Sequence, residues 1–372
     1  MMKQEILYPH NNYATLDEYL VRKNIKRIFL VKSKYFDSFK ISFYFKTLKG
    51  RLGIETVSFN HYHPNPEYNS VVEGEKIFTE SNCDCIFAIG GGSAIDVAKC
   101  IKLYFRLDEK KFFLKQKPIP NDIPLIVLPT TAGTGSEETR YAVIYYEGEK
   151  QSITNESIIP SVVIFDSSAL ETLPDYQRKS TMLDAFCHAV ESFWSVNSTK
   201  ESKEFSKRAI HLILENYESY LKNEANGNMN MLMAANIAGK AINITQTTAG
   251  HAMCYKLTSL YGISHGHAAA LCVSILWPHM INNTDLCIDL RGKDYLEKNF
   301  FELASVMGEK TPMLSAKKFA TFVRNLQLET PVIKSKDDFF VLKKSVNPVR
   351  LKNNPVKLDE ESINMLYHQI LG

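Results

Sequence analysis

CIFAIGGGSAIDVAK, residues 85–99, decides how the chain is read. Its first five residues form a short apolar run, which suits a strand buried on both faces. Gly90-Gly91-Gly92-Ser93 then turn the chain, and apolar residues return at helical spacing from Ala94 to Phe105. Glycines let backbone N–H groups come close to a phosphate, and a helix N-terminus adds partial positive charge. The same glycines would also serve a tight turn with no ligand, so this piece alone leaves both readings open.

The flanking sequence repeats the pattern. Arg27–Val31, Pro124–Leu128 and Val162–Phe165 are further short apolar runs bounded by charge, Pro or Asp. Strands alternating with helices predict a parallel sheet covered on both sides. After PLIVL comes a second small-residue loop, PTTAGTGSEET, residues 129–139, rich in hydroxyls. Two such loops, each following a strand, point to one crevice. Neither matches GxGxxG or GxxxxGK[ST], so the nucleotide fold differs from those two.

From about Lys179 long helical patterns take over: Thr181–Ser195, Ser202–Asn216, Asn228–Ile244 and Ala268–Ile281. Beyond Phe300 the pattern stays helical and polar, with Pro348 and Pro355 marking turns. The boundary falls near Leu173-Pro174, giving an α/β nucleotide-binding domain over 1–174 and an all-helical domain over 175–372. The 372 residues suit two domains, because single cores stop growing near ~250–300 residues. The cleft between domains is where a ligand is expected.

Composition narrows the function classes. With a formal net charge of +3, 45% hydrophobic and 23% charged residues, the chain reads as an ordinary globular protein. That balance gives no reason to propose nucleic acid or an anionic membrane as a partner. No apolar run approaches the ~20 residues needed to span a bilayer. The N-terminal MMKQEILYPHNNYATLDEYL has no apolar leader core. Seven cysteines without disulfide spacing fit a reducing cytoplasm. Cys83 and Cys85 read as turn and strand residues, since no second Cys pair completes a metal site.

The chemistry is expected in the helical half. Asp184 and His188 are four apart in TMLDAFCHAVESFW, on one face of a helix. AGHAMCYKLTSLYGISHGHA adds His251, His265 and His267, although the chain holds only ten histidines. Three histidines and a carboxylate make a donor set for Fe(II), Zn(II) or Mn(II), with room for a substrate oxygen. Gly262 and Gly266 are expected to let the loop between them turn a histidine inward. A divalent ion there would polarise a carbonyl while hydride moves to or from a nicotinamide.

Together, GGGSAIDVAK, PTTAGTGSE, the Asp184–His188 helix and the AGHAM…SHGHA pair resemble the iron-containing alcohol dehydrogenases over most of residues 25–285. The resemblance implies a dehydroquinate-synthase-like fold, a homodimer, and Fe(II), with Zn(II) in some members. By motif match it carries the metal ligands to Asp184, His188, His251 and His265. Cofactor contacts carry over to Gly91, Gly92, Ser93, Asp96, Thr130, Thr131, Thr134, Thr139 and, after the EGE turn, Lys150.

Two departures bear on specificity. Tyr255 stands where many members have a further histidine near the substrate; it would relay a proton or simply wall the pocket. His267 is expected outside the ligand set, in support of it or at the surface. Ser33, between Lys32 and Lys34, stands where NAD-preferring members often carry an Asp, which favours NADP(H) over NAD(H). The histidine region is similar to the phosphonoacetaldehyde reductase branch, which forms 2-hydroxyethylphosphonate. A small anionic aldehyde would need a cationic clamp, and Arg140 or Lys256 is the candidate. The rival readings are a metal- and NAD-dependent lyase of the dehydroquinate synthase type and a non-catalytic nucleotide- or metal-binding protein.

Overall fold

The computed structural model describes residues 4–9, 12–346 and 348–372. The expectation of an N-terminus without a leader rests partly on residues 1–3, 10 and 11, which lie outside the described residues. The chain forms two units: the first runs to Thr131 and resumes over Gly135–Leu173, and the second takes Ala132–Thr134 and Pro174–Gly372.

In the first unit the order is β1 (Glu5–Leu7), α1 (Ala14–Arg22), β2 (Arg27–Lys32), α2 (Ile41–Leu52), β3 (Glu55–Phe59), α3 (Tyr68–Glu80), β4 (Cys85–Gly90), α4 (Gly92–Tyr104), β5 (Leu125–Pro129), β6 (Tyr141–Tyr146), β7 (Glu149–Thr154) and β8 (Val162–Ile164). Six strands build a parallel sheet in the order β1-β8-β5-β4-β2-β3, and β6 and β7 form a separate antiparallel hairpin. The four apolar runs are β2, β4, β5 and β8. Every residue of β4 and β5 is buried, as strands central to a two-sided sheet require. β1, β3 and the hairpin were not expected from the sequence. β3 (ETVSF) is mostly half-buried at the sheet edge, and β7 (EKQSIT) is half exposed, so neither carries an apolar run.

Strand order fixes where a ligand belongs. After β2 the chain adds β3 on one side and then returns to place β4 on the other. The connections therefore diverge between the C-terminal ends of β2 and β4, the switch point at which open α/β sheets bind ligands. Gly90 pairs with Pro129, so β4 and β5 end level and both small-residue loops leave the sheet together.

The second unit is helical: α5 (Asp175–Trp194), α6 (Lys200–Leu221), α7 (Ala225–Thr245), α8 (Ala249–Tyr261), α9 (His265–Asn282), α10 (Lys293–Val306), α11 (Pro312–Asn325), α12 (Asp338–Ser345), α13 (Pro348–Leu351) and α14 (Glu360–Leu371). Helix α5 is its spine and packs on α6, α7, α9 and α10. From Met182 to Trp194 all its residues are buried, including Asp184, His188 and Glu191. A Thr199–Ser202 capping box opens α6. Gly262, at φ +71°, closes α8 in the left-handed conformation. Pro348 opens a helix rather than marking a turn, at the first position where proline's missing N–H costs nothing. No helix among the described residues is long and apolar enough to cross a membrane.

Candidate active site

Asp184, His188 and His251 form a buried cluster whose donor atoms all lie within 4.8 Å of one another. Asp184 and His188 come from adjacent turns of α5, and His251 from the first turn of α8. The His188 and His251 rings stack at 4.5 Å, 15° from parallel. Their Nε2 edges both face Asp184 Oδ1, at 3.9 Å and 3.4 Å. Their Nδ1 edges are occupied elsewhere: His188 Nδ1 lies 3.3 Å from the Gly133 carbonyl, and His251 Nδ1 is hydrogen-bonded to Glu191. Tying down Nδ1 fixes the tautomer and leaves the Nε2 lone pair for a cation.

Glu191 was not anticipated from sequence. It is fully buried on α5, seven residues beyond Asp184 and three beyond His188, so helical spacing was the available signal. Its Oε1 accepts from the Thr248 hydroxyl at 2.6 Å, the Thr248 N–H at 3.2 Å and the His251 N–H at 3.3 Å. Thr248 Oγ1 in turn accepts from Trp194 Nε1 at 3.0 Å. Carboxylate, imidazole and open Nε2 make the support arrangement of histidine metal ligands.

The electrostatics agree. Burial works against the Asp184 carboxylate, but the charge His188 takes on in the acid range where that carboxyl titrates, together with the hydrogen bond from His251, outweighs it and holds it below the usual range. Burial pushes His188 down to about 4, so it is neutral. Burial also opposes charge on His251, but Glu191 and Asp184 prevail and lift it to about 10. A cation set among these groups would take the place of that proton between His251 and Asp184, which the donor set fits.

His265 is less tightly drawn in. It begins α9, and its ring lies 5.3 Å from that of His251. Cys254 Sγ is 3.5 Å from its Nδ1, and the Tyr255 ring stacks on it at 5.2 Å. His265 therefore borders the three-residue cluster. His267 is buried rather than at the surface, with Nδ1 3.2 Å from the Tyr176 hydroxyl. Gly266, expected from sequence to turn a loop inward, does not do so. It lies inside α9, and a Cβ there would meet the Ser180 carbonyl at 2.1 Å and Asp184 Cβ at 2.6 Å. Its smallness lets α9 close onto α5 at the ligand carboxylate. Gly133 works similarly, since a Cβ would stand 2.6 Å from the Thr181 carbonyl.

In the first unit the cofactor candidates gather at the switch point. Gly91 is the N-cap of α4 and Gly92 and Ser93 form its first turn, with no side chain capping it. A Cβ built on Gly91 would stand 3.1 Å from Thr131 Oγ1, so only glycine leaves this cradle open. Ser33 follows β2, its N–H bonded to Ile89 O at 3.0 Å. Beside it, Tyr62 Oη has no hydrogen-bond partner among the described residues and lies 3.9 Å from where a Gly90 Cβ would be. An unpartnered buried phenol at the mouth of a glycine cradle fits a ribose hydroxyl.

Other candidates serve the loops. Asp96 accepts from Ser136 Oγ at 2.7 Å and Val143 N at 3.0 Å. Lys99 is fully buried and donates to the carbonyls of Ser136, Thr139 and Tyr141 at 2.6–2.7 Å. These two α4 residues hold the second loop in shape, Thr139 included. Thr130 is buried and Thr131 half-buried at the end of β5, while Thr134 falls in the helical unit. Lys150 sits on β7 opposite Tyr145. Arg140 is ion-paired to Glu156 at 2.6 Å within its own unit. Lys256 is half-buried on α8.

Comparison with known proteins agrees with this geometry. The model of iron-containing alcohol dehydrogenases matches residues 3–167, and that of the family's C-terminal part matches residues 179–371. Aldehyde-alcohol dehydrogenase 2 of Entamoeba histolytica is 30% identical over 84% of this chain, which spans only 38% of that protein. Phosphonoacetaldehyde reductase of Streptomyces viridochromogenes is 29% identical, over 76% of this chain and 75% of its own length. Sulfoacetaldehyde reductase from Bifidobacterium kashiwanohense, solved in complex with NAD+, shares the fold with a TM-score of 0.87, at 24% identity over 100% of this chain and 98% of that one.

Proposed function

Because the chain belongs to the iron-containing alcohol dehydrogenases, we propose that it reduces a small anionic aldehyde to a primary alcohol, using NADPH and a divalent metal held by Asp184, His188, His251 and His265. The observation that carries this reading is the buried cluster in which Asp184 meets the open Nε2 edges of His188 and His251. Bound there, Fe(II) or Zn(II) supplies Lewis acidity toward a carbonyl oxygen, and the reduced nicotinamide supplies hydride. The chain's own residues do the rest. Glu191 and the Gly133 carbonyl aim the imidazoles, and burial keeps bulk water from them. Tyr255, stacked on His265, delivers a proton to the alcohol oxygen from its phenol.

The cofactor cradle is Gly91, Gly92 and Ser93, with Ser33 at the ribose end and Thr130, Thr131, Thr134, Thr139, Asp96 and Lys150 shaping or lining the second loop. NADPH is favoured over NADH because a hydroxyl, not a carboxylate, follows β2 between Lys32 and Lys34. Phosphonoacetaldehyde is the substrate we favour, supported by the 29% identity to a reductase of that name. A homodimer is inferred from the family resemblance, and a cytoplasmic setting fits seven free cysteines.

The test is consumption of NADPH and of NADH with phosphonoacetaldehyde and a panel of neutral aldehydes. Net oxidation of NADPH is expected, whereas a lyase would return its nicotinamide unchanged. A strong preference for NADH would sink the cofactor assignment. No net oxidation with any aldehyde would sink the reductase.

A further inference from the structure

We propose that Arg350, steadied by Thr247, is the residue that grips the anionic head group of the substrate, a role resting on the reductase reading above. Arg140 and Lys256 are the cations expected at this place from the sequence. Arg140 is occupied by Glu156 at 2.6 Å. Arg350 comes from the short helix α13, far along the chain, and its guanidinium lies 5.9 Å from the centroid of the Tyr255 ring. Tyr255 in turn stacks on His265 at 5.2 Å, 24° from parallel. All three belong to the helical unit. A cationic group thus stands two contacts away from a metal-ligand candidate, linked to it through the Tyr255 ring.

Three features suit Arg350 to this role. First, it forms no salt bridge among the described residues, unlike Arg22, Arg27, Arg51, Arg140 and Arg291, each of which holds a carboxylate. Its Nη1 donates to the Thr247 hydroxyl at 3.0 Å, which leaves most of a five-donor fork for a ligand. Second, its segment is fastened in place. Asn353 Nδ2 donates to the Thr247 carbonyl and to Gln246 Oε1, both at 3.2 Å, and Val196 N–H donates to the Asn353 carbonyl at 3.0 Å. The first two bonds tie the chain after α13 to the turn that leads into α8, the helix carrying His251 and Tyr255, and the third ties it to the segment that follows α5. Third, a planar guanidinium can rest on an aromatic face while its edge donates two parallel bonds to phosphonate oxygens. The ligand class is a two- or three-carbon aldehyde bearing a phosphonate or a carboxylate.

The experiment compares the wild type with Arg350→Met and Arg350→Lys, using phosphonoacetaldehyde, 3-oxopropanoate and the neutral propionaldehyde. Binding of the product analogue 2-hydroxyethylphosphonate is measured separately by calorimetry. Losing a charged hydrogen-bonding partner is expected to raise KM for an anionic aldehyde roughly tenfold or more in Arg350→Met, leave propionaldehyde within about twofold, and weaken the phosphonate to match. Arg350→Lys should restore part of the loss. Which anion suffers more identifies the head group. Equal losses with charged and neutral aldehydes, or unchanged phosphonate binding in a folded Arg350→Met, overturn the proposal. Should the wild type reduce no aldehyde, the reductase reading fails, and calorimetry still reports on Arg350 by itself. Should Arg350→Met not fold, Arg350→Lys decides: phosphonate binding stronger than or equal to wild type would overturn a bidentate grip.

Discussion

Glu191 holds Nδ1 of His251, and that one contact leaves His251 Nε2 facing Asp184 Oδ1 at 3.4 Å. Both carboxylates lie on α5, one at each edge of the imidazole. The ring is thus aimed by the helix that supplies the ligand opposite it, and the geometry depends on a residue that would itself touch no metal.

Glu191→Gln keeps the size of the side chain but removes the charge that orients His251. Loss of such a partner typically weakens metal affinity about 10–100-fold. Competition with a chelator of known affinity measures it. An unchanged affinity would show that Thr248 and the helix backbone aim His251 without Glu191.

Gly266→Ala should damage the site without touching any donor atom. The new Cβ meets the Ser180 carbonyl at 2.1 Å and Asp184 Cβ at 2.6 Å, so α9 must move off α5. Overpacking of this kind costs about 1–3 kcal/mol, and here backbone atoms stand in the way, so the upper end is expected. Thermal denaturation should show the loss, together with weaker metal retention. A variant as stable and as well metallated as the wild type would mean that the helices separate at little cost.

Tyr62→Phe separates folding from cofactor binding. Its phenol is buried without a partner, and burial pushes it well above its ordinary range, so it remains a neutral donor. Deleting an unsatisfied hydroxyl should leave the cofactor-free protein equally stable or slightly more so. Affinity for ADP-ribose, which lacks the nicotinamide, should fall about 3–10-fold if the hydroxyl bonds the ribose. Unchanged ADP-ribose binding would remove Tyr62 from the cofactor site.

Lys102 gives a pH signature away from the site. It is nearly buried on α4, where its Nζ donates to Ile123 O at 2.6 Å and Asn121 Oδ1 at 3.0 Å, and burial pushes it down to about 8. Between pH 8 and an unfolded value near ~10.4 the unfolded chain binds the extra proton and the folded one does not. Lys102 therefore adds stability that is full at the upper end of this window and is lost as pH falls to about 8, on the order of 2–3 kcal/mol across it. Comparing denaturant unfolding of the wild type and Lys102→Met from neutral to alkaline pH isolates the slope. The same slope in both proteins would contradict the assignment.

The sheet was legible wherever a strand was buried on both faces. Cys85–Gly90 and Leu125–Pro129 announce themselves because each residue must be apolar or small. β3 and the β6–β7 hairpin were not legible, because edge positions leave half of each strand in water and erase the apolar run. The site divides in the same way. Asp184 and His188 share a helix, so spacing reveals them. Glu191 was hidden among ordinary helix glutamates, because only the fold shows that its face is the buried one. Arg350 was beyond reach for another reason: its contact with Tyr255 joins segments about a hundred residues apart, and no local pattern encodes such a pairing. Gly266 was noticed for the wrong cause, since sequence suggests a turn where the structure needs a close helix crossing.

Reduction is expected to depend on a divalent metal held by Asp184, His188, His251 and His265. Metal analysis of anaerobically purified wild type beside Asp184→Ala tests it most directly. A single tightly held Fe(II) or Zn(II) per chain is expected in the wild type and none in the variant. A wild type that takes up no divalent ion, or an Asp184→Ala protein that keeps its metal in full, would contradict it.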